Sequence, residues 1–316
     1  MADDDRLKRP GWVDHGVAAL NAWVGDYLAE TDNGLHQPMA FFQDNQAIAP
    51  EHLPAPPTGR ACVLVHGLGC NEALWSFPAV HPGGSYGDLL QERLGYTPLA
   101  VRYNTGLRVS TNGEELAALL ERYAAHHGDA LTELLLVGHS MGGLVIRSAC
   151  HLARDGSWTP RVRHIFYLGS PHLGAPLERA TNAATHLLGR INTTATHVIR
   201  DVVNTRSAGV KDLRYGNLVD EDWLDHDPDA LLANTRVAIP WLATARHHRI
   251  VGQALPGVGP IGDAVVTSFS ASASASGAQP GAPGACDVRV LPGLNHLALA
   301  RHPDVYAQMA LSLADG

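Results

Sequence analysis

The chain is poor in cysteine, and the few cysteines that it has are poorly spaced for a cross-linked or metal-bound fold. Its 316 residues include four cysteines, Cys62, Cys70, Cys150 and Cys286, and no two of them form a C-x-x-C pair. This spacing argues against a disulfide framework and against a zinc site. Cys62 and Cys150 lie in apolar segments, where a cysteine behaves as a small buried hydrophobic residue.

The sequence also lacks long apolar runs and an excess of positive charge. No run approaches the ~20 apolar residues that span a bilayer. The acidic start, Met1 to Asp5, lacks the basic and apolar regions of a signal peptide, so we expect a soluble, cytoplasmic protein. The net charge of −8 argues against a nucleic-acid partner and gives no reason to expect strong attraction to anionic lipid. A weak contact with a membrane surface stays open.

What the chain does contain is enough apolar sequence for a large core. Hydrophobic residues make up 45% and charged residues 17%, which is typical of a globular protein. Strand-length apolar runs alternate with segments of helical spacing; the runs lie at 61–65, 97–103, 134–138 and 162–168, and the helical segments at 86–94, 113–126 and 144–152. This alternation predicts an α/β fold, with a mostly parallel central sheet and helices on both faces.

The chain divides into an N-terminal segment, a core and an insertion. Residues 1–58 are predicted to hold a helix over 16–29, a short strand or hairpin and a proline-rich connector; the helix docks on the body or forms part of a substrate rim. Residues 59–176 and 237–316 are predicted to form the core. Residues 177–236 break the alternation and predict an inserted helical cap or lid at the carboxyl side of the sheet. An ordinary helical connection that does not move is the alternative.

Beyond the insertion, the sequence predicts the remaining strands and the last helix. Residues 237–244 are predicted to resume the sheet, and the basic cluster from Arg246 to Arg249 is predicted to lie in a loop. Its adjacent histidines, His247 and His248, point in different directions, which argues against a metal site. Residues 268–285 are rich in Ser, Ala, Gly and Pro and predict a flexible surface loop. A last strand over 287–291 and a helix over 303–313 complete the chain.

The strongest local signal is a serine between glycines at a predicted strand-to-helix junction. Gly138, Ser140 and Gly142 form a G-x-S-x-G pattern, preceded by an apolar run and followed by helical spacing. Such a turn strains the serine backbone and exposes its hydroxyl at the carboxyl end of the sheet. We therefore predict that Ser140 is a nucleophile; a glycine-rich turn with an idle serine is the alternative.

A serine hydroxyl needs a base to activate it and an acid to orient that base. His296 lies in the turn after the last predicted strand and is the predicted base, with His302 as its rival. Asp263 lies in a turn beyond a late strand and is the predicted acid.

Other carboxylates compete with Asp263 for the role of the acid. Asp287 begins a strand and would face the wrong end of the sheet. Cap carboxylates such as Asp225 and Asp227 precede the strand whose far end should carry the acid.

Acyl transfer at a serine also requires donors for the oxyanion of a tetrahedral intermediate. The backbone N–H of Met141, directly after the nucleophile, is one predicted donor. The turn His66-Gly67-Leu68-Gly69 follows a buried strand and offers a second, the N–H of Leu68. A plain turn at the strand end is the alternative.

Together these segments resemble the lipase and esterase members of the α/β-hydrolase superfamily. The matching pieces are the turn at 66–69, the elbow at 138–143, the segment at 169–176 that leads into the cap, the stretch at 262–266 and Asn295-His296. The resemblance implies the α/β-hydrolase fold and a Ser-His-Asp hydrolase that cleaves carboxylic esters of lipids or small molecules, without a cofactor. Ala264 departs from the pattern, because many relatives have glycine there.

Two other functions remain open at this point. The same triad in a superfamily member can cleave a thioester or transfer the acyl group to an acceptor other than water. A catalytically silent relative can act as a binding module, but all three triad candidates are present here.

Overall fold

The molecule is built around one eight-stranded sheet. The computed structural model describes residues 10–76, 84–174, 207–224, 236–253 and 286–314. The strands are β1 (Ala40–Gln43), β2 (Gln46–Ile48), β3 (Arg60–Val65), β4 (Thr97–Arg102), β5 (Glu133–His139), β6 (Val162–Leu168), β7 (Arg246–Gln253) and β8 (Cys286–Pro292). Their order across the sheet is β2-β1-β4-β3-β5-β6-β7-β8. Strand β1 runs antiparallel to both of its neighbours, β2 and β4, whereas β3 to β8 run parallel to one another, so the carboxyl ends of these six strands share one edge.

Six α-helices of the described residues accompany the sheet. They are α1 (Trp12–Glu30), α2 (Tyr86–Leu94), α3 (Val109–His127), α4 (Met141–Leu152), α5 (Ala208–Tyr215) and α6 (Pro303–Ala314). Short 3₁₀ segments lie at Pro50–His52, Glu72–Trp75, Gly128–Ala130, Thr159–Arg161, Asp220–Asp222 and Ala298–Ala300. None of the helices in this part of the chain combines the length and the apolar character that a membrane crossing requires.

The central strands are apolar on both faces because helices cover both faces. Val63 of β3 points into a core shared with α3 and α4, whereas its neighbour Leu64 points into a second core shared with α2 and α6. In the parallel register Val63 pairs with Leu136 of β5. Buried parallel strands of this kind read as continuous apolar runs, which explains why the sequence predicts them well.

The prediction for the strand after the insertion is wrong. Residues 236–245 contain no strand, and the strand β7 begins at Arg246, inside the basic cluster predicted to be a loop. The cluster tolerates a buried strand because its rings stack on those of β6: His248 lies 4.5 Å from Phe166 and His247 lies 5.9 Å from Tyr167, ring centre to ring centre. The two histidines thus face opposite sides of the sheet, in the alternation that a strand imposes.

Several other predictions lie outside the described residues. These are the helical pieces at 177–191 and 197–203, the low-complexity loop at 268–285, and Asp263. Of the predicted cap, the structure describes α5 and the short helix Asp220–Asp222. The N-terminal helix and the hairpin after it are confirmed, and α1 begins four residues earlier than predicted, at Trp12.

Candidate active site

Ser140 sits at the junction of β5 and α4 in a strained backbone conformation. Its φ is 53° and its ψ is −120°, a region that residues other than glycine seldom adopt. The Ser140 N–H donates to the carbonyl of Leu168 at the end of β6, 2.9 Å away. The neighbouring strand therefore holds the strained turn in place. Such strain persists where the surrounding structure imposes it, and it is typical of functional sites.

The turn is closed by a glycine that leaves no room for a side chain. A Cβ atom on Gly142 would lie 2.2 Å from the carbonyl oxygen of Val65 and 2.5 Å from that of His66. The start of α4 therefore packs directly on the end of β3. This contact brings the turn at 66–69 to Ser140.

Gly67 is the point at which that turn meets Ser140. A Cβ atom on Gly67 would lie 3.0 Å from both the Ser140 Cβ and the His139 Nδ1. The amides that follow Leu68 are engaged, since Gly69 N donates to Thr105 Oγ1 at 3.1 Å and Cys70 N donates to the carbonyl of Gly67 at 3.2 Å. On the other side of the serine, Met141 is the first residue of α4, where an N–H has no acceptor within the helix.

His66, the first residue of this turn, is fixed by contacts with Tyr103. Its ring stacks on Tyr103 at 4.5 Å between ring centres, and the Tyr103 hydroxyl donates to the carbonyl of His66 at 2.8 Å. Complete burial lowers the pKa of His66 to about 4. A neutral, immobilised imidazole of this kind holds the shape of the turn.

His296 reaches the same place from the far end of the chain. It follows β8, it is 5% exposed, and its ring centre lies 4.7 Å from that of His139, the residue before Ser140. The carbonyl of His296 lies 2.9 Å from His139 Nε2. His296 is thus seated beside the strained turn.

The rival residues take other positions. His302 stands before α6, where its Nδ1 lies 3.7 Å from Asp304 and accepts from the Asp304 N–H at 3.3 Å. Asp287 pairs with His248 near the amino end of β8, far from the carboxyl ends of the strands, as expected. Asp225 and Asp227 lie outside the described residues.

Tyr86 anchors the segment that follows His296. This side chain is fully buried at the start of α2. Its hydroxyl donates to the carbonyls of Leu299 and His302, at 2.9 and 3.0 Å, and accepts from the N–H of His302 at 2.8 Å. The chain that carries His296 is therefore fixed to the body of the protein a few residues later.

A pocket of about 280 Å³ opens between the turn and the histidine segment. It is lined by Trp12, His15, Ala19, Gly69, Cys70, Asn71, Ala73, Leu74, Leu297 and Arg301. Gly69 directly follows Leu68, and Leu297 directly follows His296, so two walls of the pocket are continuous in sequence with candidate site residues. The third wall is the first half of α1, which docks on the body of the protein and lines the pocket through Trp12, His15 and Ala19.

Arg102 connects the elements around the pocket through hydrogen bonds and ion pairs. Its Nε donates to Glu72 at 2.7 Å, its Nη2 donates to Asn45 at 2.7 Å, and its Nη1 lies 3.5 Å from Asp14. The guanidinium also stacks over Phe42 at 3.9 Å from the ring centre. Helix α1, the β1–β2 hairpin and the 3₁₀ helix Glu72–Trp75 are thus joined to the end of β4.

The described part of the predicted cap, residues 207–224, packs on the same edge of the sheet. The Gly209 N–H of α5 donates to the carbonyl of Gly106 at 2.9 Å. Asp212 of α5 pairs with Arg108 at 2.7 Å and accepts from the N–H of Val109, the first residue of α3, at 2.9 Å. The insertion thus returns to the body close to the elbow. Among the described residues, no group of three or more His, Cys, Asp or Glu side chains is arranged to hold a metal ion.

Comparisons with known proteins agree with this architecture. The family model of the PGAP1-like alpha/beta domain matches residues 83–235, and no curated protein matches the sequence. Among solved structures, the mature form of the Bacillus licheniformis lipase BlEst2 superposes with a TM-score of 0.50 at 18% identity, covering 81% of this chain and 93% of the lipase. The propeptide form gives a TM-score of 0.51 at 18% identity, covering 81% of this chain and 50% of that one. These superpositions show that the chain has the α/β-hydrolase fold.

Within this fold, the sequence pattern indicates the residues at strand ends but not the wall of the pocket. Ser140, Met141, Leu68 and His296 all lie at the carboxyl edge of the sheet. No local pattern marks Trp12, His15 and Arg301, because they lie on helices or turns far apart in sequence. The only available signal was the expectation that the N-terminal helix could form a substrate rim.

Proposed function

We propose that the protein hydrolyses carboxylic esters through an acyl-enzyme on Ser140. His296 is the general base, Asp263 is the acid that orients it, and the amides of Leu68 and Met141 are the oxyanion donors. The observation that carries the proposal is the strained backbone of Ser140, held by Leu168 and flanked by Gly67. A structure retains strain of this kind where a function requires it.

The reaction follows from these positions. His296 takes the proton of the Ser140 hydroxyl as the oxygen attacks the ester carbonyl. The tetrahedral oxyanion receives hydrogen bonds from the two amides, and the departing alcohol takes the proton from His296. Water then attacks the acyl-enzyme by the same route, which releases the acid and restores the serine.

The pocket supports an ester with an apolar portion. Trp12, Ala19, Leu74 and Leu297 give it apolar walls beside the candidate site. The names of the two solved relatives describe a lipase, which fits the same substrate class. The acyl chain or the alcohol of the ester would occupy this pocket.

Labelling with a fluorophosphonate probe tests the nucleophile. The wild-type chain is expected to be labelled stoichiometrically, and the Ser140→Ala variant is expected to remain unlabelled because the probe requires an activated serine. A matched Ser312→Ala variant, which changes a serine of α6, is expected to label like the wild type. Equal labelling of Ser140→Ala and wild type would overturn the proposal.

A panel of esters tests the reaction and the base. The wild type is expected to hydrolyse p-nitrophenyl esters and to prefer them over matched acyl thioesters. His296→Ala is expected to lower kcat by about 10⁴-fold or more, because triad members act as a unit, whereas His302→Ala keeps most of the activity. A strong preference for thioesters, or more than about a tenth of wild-type activity in His296→Ala, would contradict this assignment.

A further inference from the structure

A cluster of basic side chains surrounds Trp241, outside the proposed chemistry. Arg147 belongs to α4, His172 follows β6, and Arg249 belongs to β7. The guanidinium carbons of Arg147 and Arg249 lie 4.1 and 5.7 Å from the Trp241 ring centre, and the His172 ring lies 5.3 Å from it. We call these four residues the Trp241 cluster.

The cluster holds two positive charges away from water. Arg249 is 2% exposed, and burial also lowers the pKa of Arg147. The charges that act most strongly on Arg147 are those of tyrosine, cysteine and arginine side chains. An arginine stays charged in a protein. Within the described ranges, neither guanidinium forms an ion pair with a carboxylate, whereas buried charges are ordinarily paired.

The unsatisfied atoms of the cluster are all hydrogen-bond donors. Arg249 Nε and Nη1, Arg147 Nε and His172 Nε2 are buried without a hydrogen-bond partner. His172 Nδ1 lies 3.5 Å from Arg147 Nη1, and because arginine can only donate, this ring nitrogen accepts. The hydrogen of the neutral imidazole therefore sits on Nε2. Burial and the charge of Arg147 keep the pKa of His172 well below its usual range, which agrees with a neutral ring.

Stacking on Trp241 accounts for the faces of the guanidinium groups. Along their edges, Arg147 Nη2 donates to the carbonyl of Ile239 at 2.9 Å and Arg249 forms a hydrogen bond with Cys286, but Arg147 Nε and Arg249 Nε and Nη1 stay unsatisfied. A water molecule would accept hydrogen bonds there but would not compensate the charge. An oxyanion does both, since its oxygens accept from the N–H fork of an arginine in a bidentate manner.

We propose that the Trp241 cluster is a binding site for a small oxyanion, a carboxylate or an inorganic phosphate. The occupant would bridge α4 to β7 and the segment after β6. Arg147 lies two helical turns beyond Ser140 on α4, so the anion would also hold the helix that begins at the nucleophile. This site is separate from the pocket beside His296, and it does not depend on the proposed ester hydrolysis.

Thermal unfolding of the full chain tests the proposal. Sodium phosphate, sulfate or acetate would be titrated against sodium chloride at constant ionic strength. The wild type is expected to show a saturable rise in Tm of at least about 3 °C for one or more of these oxyanions. The response to acetate against phosphate tells which oxyanion class the site prefers.

Charge-removing variants locate the effect. Arg249→Met and Arg147→Met are expected to lose the saturable rise while unfolding cooperatively in chloride, since each change removes an unpaired buried charge together with its desolvation cost. Arg122→Met, which removes a surface arginine paired with Glu51 at 2.7 Å, is the matched control and is expected to retain the rise.

An anion that copurifies would mask the titration, so the purified wild type is also denatured and its released anions are measured by ion chromatography. About one oxyanion per chain in the wild type and none in the variants supports the site. Neither a saturable rise nor a stoichiometric anion in the wild type overturns it, and so does an equal rise in wild type and Arg249→Met.

Discussion

Gly67 is the residue at which the turn after β3 touches Ser140, the proposed nucleophile. Its missing side chain lets the turn lie against Ser140 and His139, with only 3.0 Å available to a Cβ atom. A contact of that length requires the neighbour to move by a few tenths of an ångström. The amide of Leu68, one residue further on, would move with it.

Gly67→Ala is therefore expected to lower kcat for ester hydrolysis about 10²-fold, which is the typical loss when an oxyanion donor is displaced. The Tm should fall by only a few degrees, because the turn is at the edge of the core. Gly34→Ala, at a glycine with no atom within 4 Å of its missing Cβ, is the control and should change neither quantity. Unchanged kcat in Gly67→Ala would remove the turn from the oxyanion site.

Trp12 is the most exposed large apolar residue of the pocket wall, at 79% exposure. Because its ring is mostly in water, Trp12→Ala is expected to leave the Tm within about 1 °C. The same change removes one apolar wall, so KM should rise more for long than for short p-nitrophenyl esters. Leu311→Ala, at a 63% exposed residue of α6, is the matched control. An unaltered chain-length profile would show that substrate does not reach α1.

At the scale of an element, the end of β8 and its following segment depend on α2. Tyr86→Phe removes a buried hydroxyl and leaves the carbonyls of Leu299 and His302 and one N–H without their partner. The free energy of unfolding is expected to fall by about 1–3 kcal/mol, and kcat should fall because the segment carrying His296 loosens. Urea unfolding and ester kinetics on the same preparation check both. A destabilised variant with wild-type kcat would mean that His296 is held by other contacts.

Strand β7 makes the fold sensitive to acid. Burial lowers the pKa of His247 to about 4 and that of His248 to about 3. The unfolded chain takes up protons on these residues below about pH 6.5, whereas the folded chain resists protonation until lower pH. Stability is therefore full above pH 6.5 and declines as the pH falls. Each histidine is expected to contribute a loss of about 2 kcal/mol between pH 7 and pH 5.

His248→Gln is expected to lower the acid-induced loss between pH 7 and pH 5 by about 2 kcal/mol. Urea unfolding at pH 7, 6 and 5 measures it, and His52→Gln, at an exposed histidine, is the control. An identical pH dependence in His248→Gln and wild type would mean that the folded strand protonates as readily as the unfolded chain.

The same strand marks the limit of prediction from sequence. β3, β5 and β6 are recognisable because strands buried on both faces are continuously apolar. β7 buries histidine and arginine side chains that become acceptable only through rings of β6, and such pairing is not visible in one segment. Residues 237–244 have a more strand-like composition than residues 246–253, yet they form no strand. The carbonyl of Ile239 accepts a hydrogen bond from Arg147 Nη2 at 2.9 Å and not from a neighbouring strand.

At the scale of the whole molecule, the elbow and its closest partners could be predicted because they follow strands whose carboxyl ends meet at one edge. Ser140, Leu68 and His296 are cases of this rule. The pocket wall could not be predicted in the same way, since it depends on α1 being tied to β4 through Arg102, Asp14 and Glu72. A contact across such distances in sequence is a property of packing and not of any local pattern.

Three of the four thiols, those of Cys62, Cys70 and Cys150, are buried and can report on opening of the structure around them. Burial raises the pKa of Cys70 and Cys150 to about 12 and raises that of Cys62 further, so none of them reacts with a disulfide reagent in the folded chain. Cys62 lies in β3 at the centre of the sheet and Cys150 on the buried face of α4, and both become reactive when the core opens. Cys70 lies in the pocket wall. The rate of thiol–disulfide exchange at Cys70, compared with the rates at Cys62 and Cys150, therefore measures how often the pocket beside Leu68 opens locally without unfolding of the protein.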